Sequence, residues 1–115
     1  MNKDRLMEVS MNILINSGEA RNLIKEAYDC ILNGSYENYD NKLKEAHEFI
    51  LKAHKSQTGE IQKEANGEDF EYSILFSHAQ DTMMTINSEL ITAKKLGKIF
   101  KNFNERLRKL EEINE

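Results

Sequence analysis

The chain contains no proline in 115 residues, and this absence constrains its fold more than any other feature of the sequence. Proline lacks a backbone N–H group and has a fixed φ angle, so it interrupts helices and marks turns. A chain without proline, and with only five glycines, favours long uninterrupted helices. We expect a single domain, because 115 residues are too few for two domains of ordinary size.

Only two short segments interrupt the helical pattern. One is 33–35 (Asn-Gly-Ser), where glycine suits the end of a helix and serine suits the start of the next. The other is 66–69 (Asn-Gly-Glu-Asp), where a similar stop precedes acidic residues that suit a helix N-terminus. The sequence therefore predicts three helices, over about 2–33, 35–66 and 69–112.

Each predicted helix carries an apolar stripe with steps of three and four residues. The stripe of the first helix contains Leu6, Val9, Ile13, Ala20, Ile24, Ala27 and Ile31. That of the second contains Tyr36, Tyr39, Leu43, Ala46, Ile50, Ala53, Gln57, Ile61 and Ala65, and that of the third contains Leu75, Ala79, Met83, Ile86, Leu90 and Ala93. Short connections make sequential helices antiparallel neighbours. The predicted fold class is all-α, an antiparallel three-helix bundle.

The third helix carries a second stripe beside the first, formed by Ile74, His78, Asp81, Thr85 and Thr92 and continued by Leu96, Phe100, Phe103, Leu107 and Leu110. A three-helix bundle covers only one face of each helix, so this second stripe needs a partner from outside the chain. We therefore expect self-association as a symmetric oligomer. The third helix is also long, about 60 Å at 1.5 Å per residue, so its end is expected to overhang, bend or wind around symmetry mates.

Charge and composition exclude several classes of protein. The formal net charge of −4 disfavours nucleic acid as a partner, which requires an excess of basic residues. The basic residues near the C-terminus alternate with glutamates and are interpreted as a solvated helix surface. A single cysteine, Cys30, forms no internal disulfide, which favours a reducing compartment. No signal peptide and no apolar run long enough for membrane insertion is present, so a cytoplasmic location is expected.

The candidates for chemistry reduce to one short run. Cys30 lies among apolar residues and is interpreted as packing, and His47 lies on the core side of the second helix, where packing with a hydrogen bond is expected. Neither the Glu-x-x-His pairs of di-iron bundles nor a His-Glu-x-x-His zinc motif occurs. The run 77–85 (Ser-His-Ala-Gln-Asp-Thr-Met-Met-Thr) remains. His78 lies at the edge of the core stripe, and on the residues alone a structural role is favoured for it over a reactive one.

The run 78–85 resembles the signature of the lactose/cellobiose-type enzyme IIA of the phosphoenolpyruvate-dependent sugar phosphotransferase system. The string typical of that family is His-Ala-Gln-Asp-His-Leu-Met-Thr, and this chain has His-Ala-Gln-Asp-Thr-Met-Met-Thr. Further segments resemble the family in the same order, at residues 17–21, 45–47, 53–58 and 64–68. The resemblance covers roughly residues 5 to 100 and reaches every predicted helix and both turns.

The resemblance implies a fold, an activity and partners. The family forms homotrimers of three-helix subunits, nine helices in all. The histidine that matches His78 takes a phosphoryl group from the histidine-containing phosphocarrier protein and passes it to a cysteine of enzyme IIB, so the chain is expected to be a phosphotransferase component. The aspartate that matches Asp81 meets its two symmetry copies around a divalent cation, expected to be Mg²⁺ in a structural role. Gln80, His54 and Gln57 are expected to support the site.

One position departs from the family pattern. The family's second histidine is replaced by Thr82, but that histidine is not the phosphoryl acceptor, so the expectation for His78 stands. The main alternative is a trimeric helical adaptor without chemistry. A histidine phosphotransfer domain of two-component signalling is disfavoured by the residues that follow His78, and a ferritin-like metalloprotein by the missing Glu-x-x-His pairs.

Overall fold

Three long helices make up the computed structural model, which describes residues 2–67 and 72–114. Helix α1 spans Asn2–Leu32, α2 spans Tyr36–Ala65 and α3 spans Ile74–Ile113. All regular structure in the described residues is helical, as predicted. The molecule is elongated, with extents of 70 × 21 × 18 Å. No helix within the described residues has the length and apolarity needed to cross a membrane.

Glycine ends the first two helices by adopting a backbone conformation that other residues rarely take. Gly34 and Gly67 have φ angles of 78° and 86°, in the left-handed region where a missing Cβ removes the steric cost. After α1, Gly34 N–H donates to Ile31 at 2.9 Å and Ser35 N–H donates to Cys30 at 2.8 Å. These two bonds form a Schellman motif, which satisfies carbonyls at the helix end.

Helix α3 starts later than the sequence predicts. The predicted start at residue 69 lies outside the described residues, and Tyr72 and Ser73 are described as non-helical. Ser73 is the N-cap, with an extended backbone and a side-chain oxygen that accepts from Phe76 N–H at 3.1 Å. A serine side chain that accepts from an N–H group of the first turn is a common start of a helix, and α3 begins directly after Ser73.

Contacts between the helices establish an antiparallel bundle. Arg5, near the start of α1, pairs with Glu60, near the end of α2, at 3.3 Å. Tyr39, near the start of α2, donates a hydrogen bond from its hydroxyl to the carbonyl of Ala93 in α3. Arg21 of α1 pairs with Glu89 in the middle of α3. The order is therefore up, down, up, as the short connections predict.

The core follows the predicted stripes in their central parts. It divides into two clusters along the bundle axis. The buried apolar residues are Leu6, Ile13, Ala20, Ile24, Ala27, Tyr39, Leu43, Ala46, Ile50, Ala53, Phe76, Ala79, Met83, Ile86, Leu90 and Ala93. Alanines recur on all three helices, and their small side chains bring the helix axes close together.

Several polar residues are buried at positions where the predicted stripe has an apolar residue or no residue at all. Ser10 and Ser17 are buried on α1, and Ser10 Oγ donates to the carbonyl of Leu6 at 2.7 Å. On α2 the prediction of Ile61 in the core is wrong, because Ile61 is exposed and Glu60 is buried in its place. The step from Gln57 to Glu60 keeps the same face of the helix, and the pairing with Arg5 at 3.3 Å compensates the buried carboxylate.

Candidate functional site

His78 lies in the second turn of α3 and is exposed to solvent. Its turn is fixed from both sides, because Phe76 and Ala79 are buried in the core with exposures of 3% and 0%. The cap at Ser73 fixes the start of the same helix. An exposed imidazole on a rigid turn can be reached by another protein without any movement of the bundle. No hydrogen bond or ion pair of the His78 side chain is present among residues 2–67 and 72–114.

Asp81 is also exposed and lies one turn further along α3. It belongs to the second face, whose members Ile74, Thr85 and Thr92 are exposed as well. In the described part of the chain, no group of three or more histidine, cysteine, aspartate or glutamate side chains is placed to hold a metal ion. A single chain thus offers one carboxylate at this position. Carboxylate oxygen suits a hard cation such as Mg²⁺, and a complete set of ligands at this position would need carboxylates from further chains.

The residues predicted to support the site lie at the level of His78 in the bundle. Ala53 of α2 packs in the same core cluster as Ala79 of α3, so the turns that carry His54 and His78 lie at similar heights. His54 is exposed. Gln57 is 9% exposed, and its Oε1 has no hydrogen-bond partner among the described residues. Gln80 is half-buried beside Ala79.

His47 is not where the sequence predicts it. It was expected to pack in the core, but it is exposed, since a step of one residue from the buried Ala46 turns the side chain about 100° around the helix. It lines a groove of about 770 Å³ between α2 and α3, together with residues that include Lys44, Lys94 and Lys98. Lys94 and Lys98 of α3 are exposed, as the interpretation of the C-terminal basic residues as a solvated surface predicts, whereas Lys101 is half-buried and pairs with Asp40 of α2.

A partly exposed ion pair that the sequence did not reveal connects α1 to α3. Arg21 donates to both carboxylate oxygens of Glu89, from Nε at 2.9 Å and from Nη2 at 2.7 Å. The hydrogen bond to Glu89 raises the pKa of the Arg21 guanidinium. Bidentate pairs of this kind fix the relative position of two elements. The pair borders a groove that includes Thr85, Ser88 and Thr92, next to the second face of α3.

Cys30 is the remaining candidate for chemistry. It is free, partly buried, and packs against the core cluster that contains Ala27 and Tyr39. Its interpretation as a packing residue is therefore confirmed.

Comparisons with known proteins place the chain in a family. The sequence profile described as "PTS system, Lactose/Cellobiose specific IIA subunit" matches residues 8–101. The PTS system lactose-specific EIIA component of Staphylococcus epidermidis is 36% identical over 85 residues, which cover 74% of this chain and 82% of the relative. The component of the same name from Lactococcus lactis is also 36% identical over 85 residues and covers 74% and 81%.

Two solved structures of similar proteins superpose closely on this chain. PtcA from S. mutans superposes with a TM-score of 0.85 at 35% identity and covers 88% of this chain and 99% of its own. The cellobiose-specific enzyme IIA from Bacillus anthracis superposes with a TM-score of 0.80 at 33% identity and covers 85% and 90%. The resemblance stated from the sequence motifs is confirmed. The chain therefore belongs to the lactose/cellobiose-specific IIA family, whose members are phosphoryl-carrying components of sugar phosphotransferase systems.

Proposed function

We propose that this chain is a cytoplasmic phosphoryl carrier, which accepts a phosphoryl group on His78 from the histidine-containing phosphocarrier protein and donates it to a cysteine of enzyme IIB. The observation that carries this proposal is the exposure of His78 on a turn anchored by the buried Phe76 and Ala79. This histidine lies within the residues that match the family profile. A carrier of this kind must present its nucleophile to two different partners in turn, and an exposed side chain on a rigid helix meets that need.

The chemistry requires little from the chain itself. A neutral imidazole has one nitrogen with a free electron pair, and an unperturbed imidazole is largely neutral near pH 7. On loading, that nitrogen attacks phosphorus, an N–P bond forms on His78, and the N–P bond of the donor histidine breaks. On unloading, a cysteine thiolate of enzyme IIB attacks the same phosphorus, an S–P bond forms, and the N–P bond on His78 breaks. Phosphoryl transfer depends mainly on in-line positioning and charge stabilisation, which the docked partner helps to supply.

Gln80, His54 and Gln57 are proposed as the residues that support His78. The Oε1 of Gln57 is buried and has no hydrogen-bond partner among the described residues. Gln57 lies one turn along α2 from Ala53, which packs in the same core cluster as Ala79, and an acceptor oxygen of this kind can orient the protonated nitrogen of an imidazole. His54 and Gln80 lie on the neighbouring exposed and half-buried surface. Their proposed task is to position the ring, and they take no part in the bond exchange.

The first test is phosphoryl uptake by the unmodified chain. The protein is mixed with phosphoenolpyruvate, enzyme I and the phosphocarrier protein, and its intact mass is measured. We expect one phosphoryl group per chain, labile in acid as a phosphohistidine is, that is lost again when enzyme IIB is added. A chain that stays unphosphorylated beside a fully active donor system would return the protein to the interpretation as a helical adaptor.

Self-association is the second part of the proposal. We propose that the second face of α3 meets two further copies of the chain in a homotrimer, with the three Asp81 carboxylates around one divalent cation, Mg²⁺ or a similar hard ion. Three carboxylates on one axis repel one another unless they bind protons or a cation. Oxygen ligands suit Mg²⁺, and the exposure of Asp81 on the uncovered face supports this arrangement. The ion would act in assembly and not in phosphoryl transfer.

Replacing Asp81 by leucine is expected to keep or strengthen the trimer, because well-packed apolar residues often stabilise an interface better than a buried ionic cluster. The trimer fraction is measured by sedimentation over a range of protein concentrations. In parallel, addition of Mg²⁺ is expected to raise the melting temperature of the unmodified protein over that in EDTA, and to have no effect on the Asp81→Leu variant. If the Asp81→Leu variant loses the trimer, the proposal that Asp81 has a structural role which apolar packing can replace is contradicted.

A further inference from the structure

The groove between α2 and α3 carries an excess of positive charge in an acidic protein, and we call it the α2–α3 groove. It has a volume of about 770 Å³ and is lined by four lysines, two carboxylates, one histidine and two leucines. The chain as a whole has a formal net charge of −4. Basic side chains gathered around a concave surface attract negatively charged ligands, so the α2–α3 groove is suited to an anion.

One lysine of the α2–α3 groove is paired and the other three are not. Lys101 of α3 pairs with Asp40 of α2, and this contact connects the two helices at one end of the groove. In the part of the chain that the structure describes, Lys44, Lys94 and Lys98 are exposed and take part in no ion pair. A bound anion would compensate the charge of these three ammonium groups through charge-assisted hydrogen bonds.

The unpaired lysines project from two helices that are in close contact. Gly97 of α3 is buried, and a Cβ at this position would overlap the ring of Tyr39 of α2. The two helices therefore approach each other closely beside the groove. Lys94 and Lys98 are four residues apart, which puts them on one side of α3, and Lys44 borders the groove from α2. The backbone of the site is thus formed before any ligand arrives, as is usual for small-molecule sites.

The remaining lining residues indicate a ligand larger than a free anion. Small-molecule sites have volumes of roughly 300–1,000 Å³, and the groove lies within this range. Leu43 and Leu51 provide apolar surface, and the imidazole of His47 and the carboxylate of Glu48 can form hydrogen bonds with hydroxyl groups. Three ammonium groups match a doubly charged phosphoryl group better than a singly charged carboxylate. A sugar phosphate combines a phosphoryl group, hydroxyl groups and apolar C–H surface in one small molecule.

The α2–α3 groove is separate from the proposed site of phosphoryl uptake. Lys98 lies twenty residues beyond His78 on α3, which corresponds to about 30 Å at 1.5 Å per residue. Thr85 and Thr92, on the second face of α3, border the groove beside α1, whereas Lys94 and Lys98 border the groove beside α2. A ligand held by these lysines therefore leaves His78 accessible to its partners.

We propose that the α2–α3 groove binds a sugar phosphate, with the phosphoryl group between Lys44, Lys94 and Lys98 and the sugar against Leu43 and Leu51. The compound is bound and released without chemical change. Sugar phosphates are the products of a sugar phosphotransferase system as a whole, so the site would make the carrier responsive to the product of the uptake that it serves. This consequence rests on the proposed function, whereas the binding itself does not.

Binding is tested by NMR titration of the amide signals of the full chain with three probes, glucose-6-phosphate, glucose and inorganic phosphate. We expect saturable shifts with glucose-6-phosphate, confined to residues 40–51 and 94–101, and no shifts with glucose, which lacks the phosphoryl group. Inorganic phosphate is expected to bind more weakly than glucose-6-phosphate, because it leaves the apolar surface of the groove uncovered. Equal affinity for these two probes, or shifts spread over the whole chain, would overturn the proposal.

Two double variants of the full chain test the position of the phosphoryl group. Lys94→Gln with Lys98→Gln removes two charges from the groove, and Lys55→Gln with Lys109→Gln removes two charges from exposed positions that do not line it. Glutamine is a good helix former, so both variants are expected to fold. We expect the first variant to bind glucose-6-phosphate at least about tenfold more weakly than the unmodified chain, and the control to stay within about twofold. Equal weakening in both variants would show an effect of overall charge and overturn the proposal.

Phosphoryl uptake by the same variants separates this proposal from the proposed function. We expect Lys94→Gln with Lys98→Gln to load on His78 as the unmodified chain does. If neither chain loads, but the variant binds glucose-6-phosphate more weakly as expected, the sugar-phosphate site stands and the carrier function fails. If the variant loses transfer to enzyme IIB while its affinity for glucose-6-phosphate is unchanged, the lysines serve contact with a partner protein and the proposal is overturned.

Discussion

A chain in which His78 is replaced by glutamine is expected to take up no phosphoryl group from the phosphocarrier protein. The electron pair of an amide nitrogen is delocalised into the carbonyl group, so glutamine offers no nucleophile in place of the imidazole. The substitution keeps a polar side chain of helix-forming type at an exposed position, and the fold is expected to be unaffected. Intact mass after incubation with the complete donor system measures the loss, and circular dichroism checks the helix content.

The chain contains three histidines in all, and the other two are replaced by glutamine in the same way, His47 as the control and His54 as a supporting residue. His47→Gln changes an exposed position that lines the groove between α2 and α3, and uptake is expected to stay complete. His54→Gln lies at the level of His78 in the bundle and is expected to slow uptake without changing the final stoichiometry. Full phosphorylation of the His78 variant, with uptake lost in one of the other two, would move the acceptor to that residue.

Replacing Tyr39 by alanine is expected to lower the free energy of unfolding by about 3–5 kcal/mol, the range for removal of a large buried aromatic side chain. Tyr39 is 1% exposed, and its ring packs near Tyr28, with the ring centroids 6.3 Å apart. Its hydroxyl donates to the carbonyl of Ala93. Burial raises the pKa of Tyr39 to about 12, so the hydroxyl remains protonated and able to donate over the working pH range. Urea unfolding at a fixed protein concentration measures the effect.

A substitution at Gly97 tests the packing of the Tyr39 ring independently. A Cβ at position 97 would overlap the ring of Tyr39, so Gly97→Ala is expected to cost about 1–3 kcal/mol through overpacking, less about 0.5–1 kcal/mol gained from helix propensity. In a Tyr39→Ala chain the overlap is absent, and Gly97→Ala is expected to be neutral or stabilising. Equal effects of Gly97→Ala in both backgrounds would contradict the contact between these two residues.

Much of the fold follows from the sequence because it depends on periodicity and on two chain breaks. Glycine is the residue that ends helices in the left-handed conformation, and Gly34 and Gly67 do so here. The start of α3 was misplaced because acidic residues favour many helix N-termini, whereas the cap at Ser73 is a single hydrogen bond to Phe76. A stripe of apolar residues also carries no information about buried polar groups. Glu60 could be placed only once the register of α1 against α2 brought Arg5 to it.

The candidate site was predictable to a smaller extent. The position of His78 at the edge of the core stripe left its burial open, and the structure places its side chain at the surface. Its role as acceptor came from the family motif and stays a prediction. The prediction for His47 was wrong, because successive residues point about 100° apart around a helix, which is enough to separate a buried position from an exposed one. The pair of Arg21 with Glu89 joins two helices through residues whose proximity depends on the tertiary register, and no local pattern reveals it.

The alanines of the core have a consequence for how the loaded and unloaded carrier can be told apart. Ala20, Ala27, Ala46, Ala53, Ala79 and Ala93 are completely buried. Small side chains at these positions keep the helices in close contact, and closely packed interiors resist sliding. We expect the arrival of a phosphoryl group to leave the rest of the bundle unmoved. A partner protein would then distinguish the two states only through direct contact with the phosphorylated side chain, which adds roughly two negative charges and extra volume at one exposed turn.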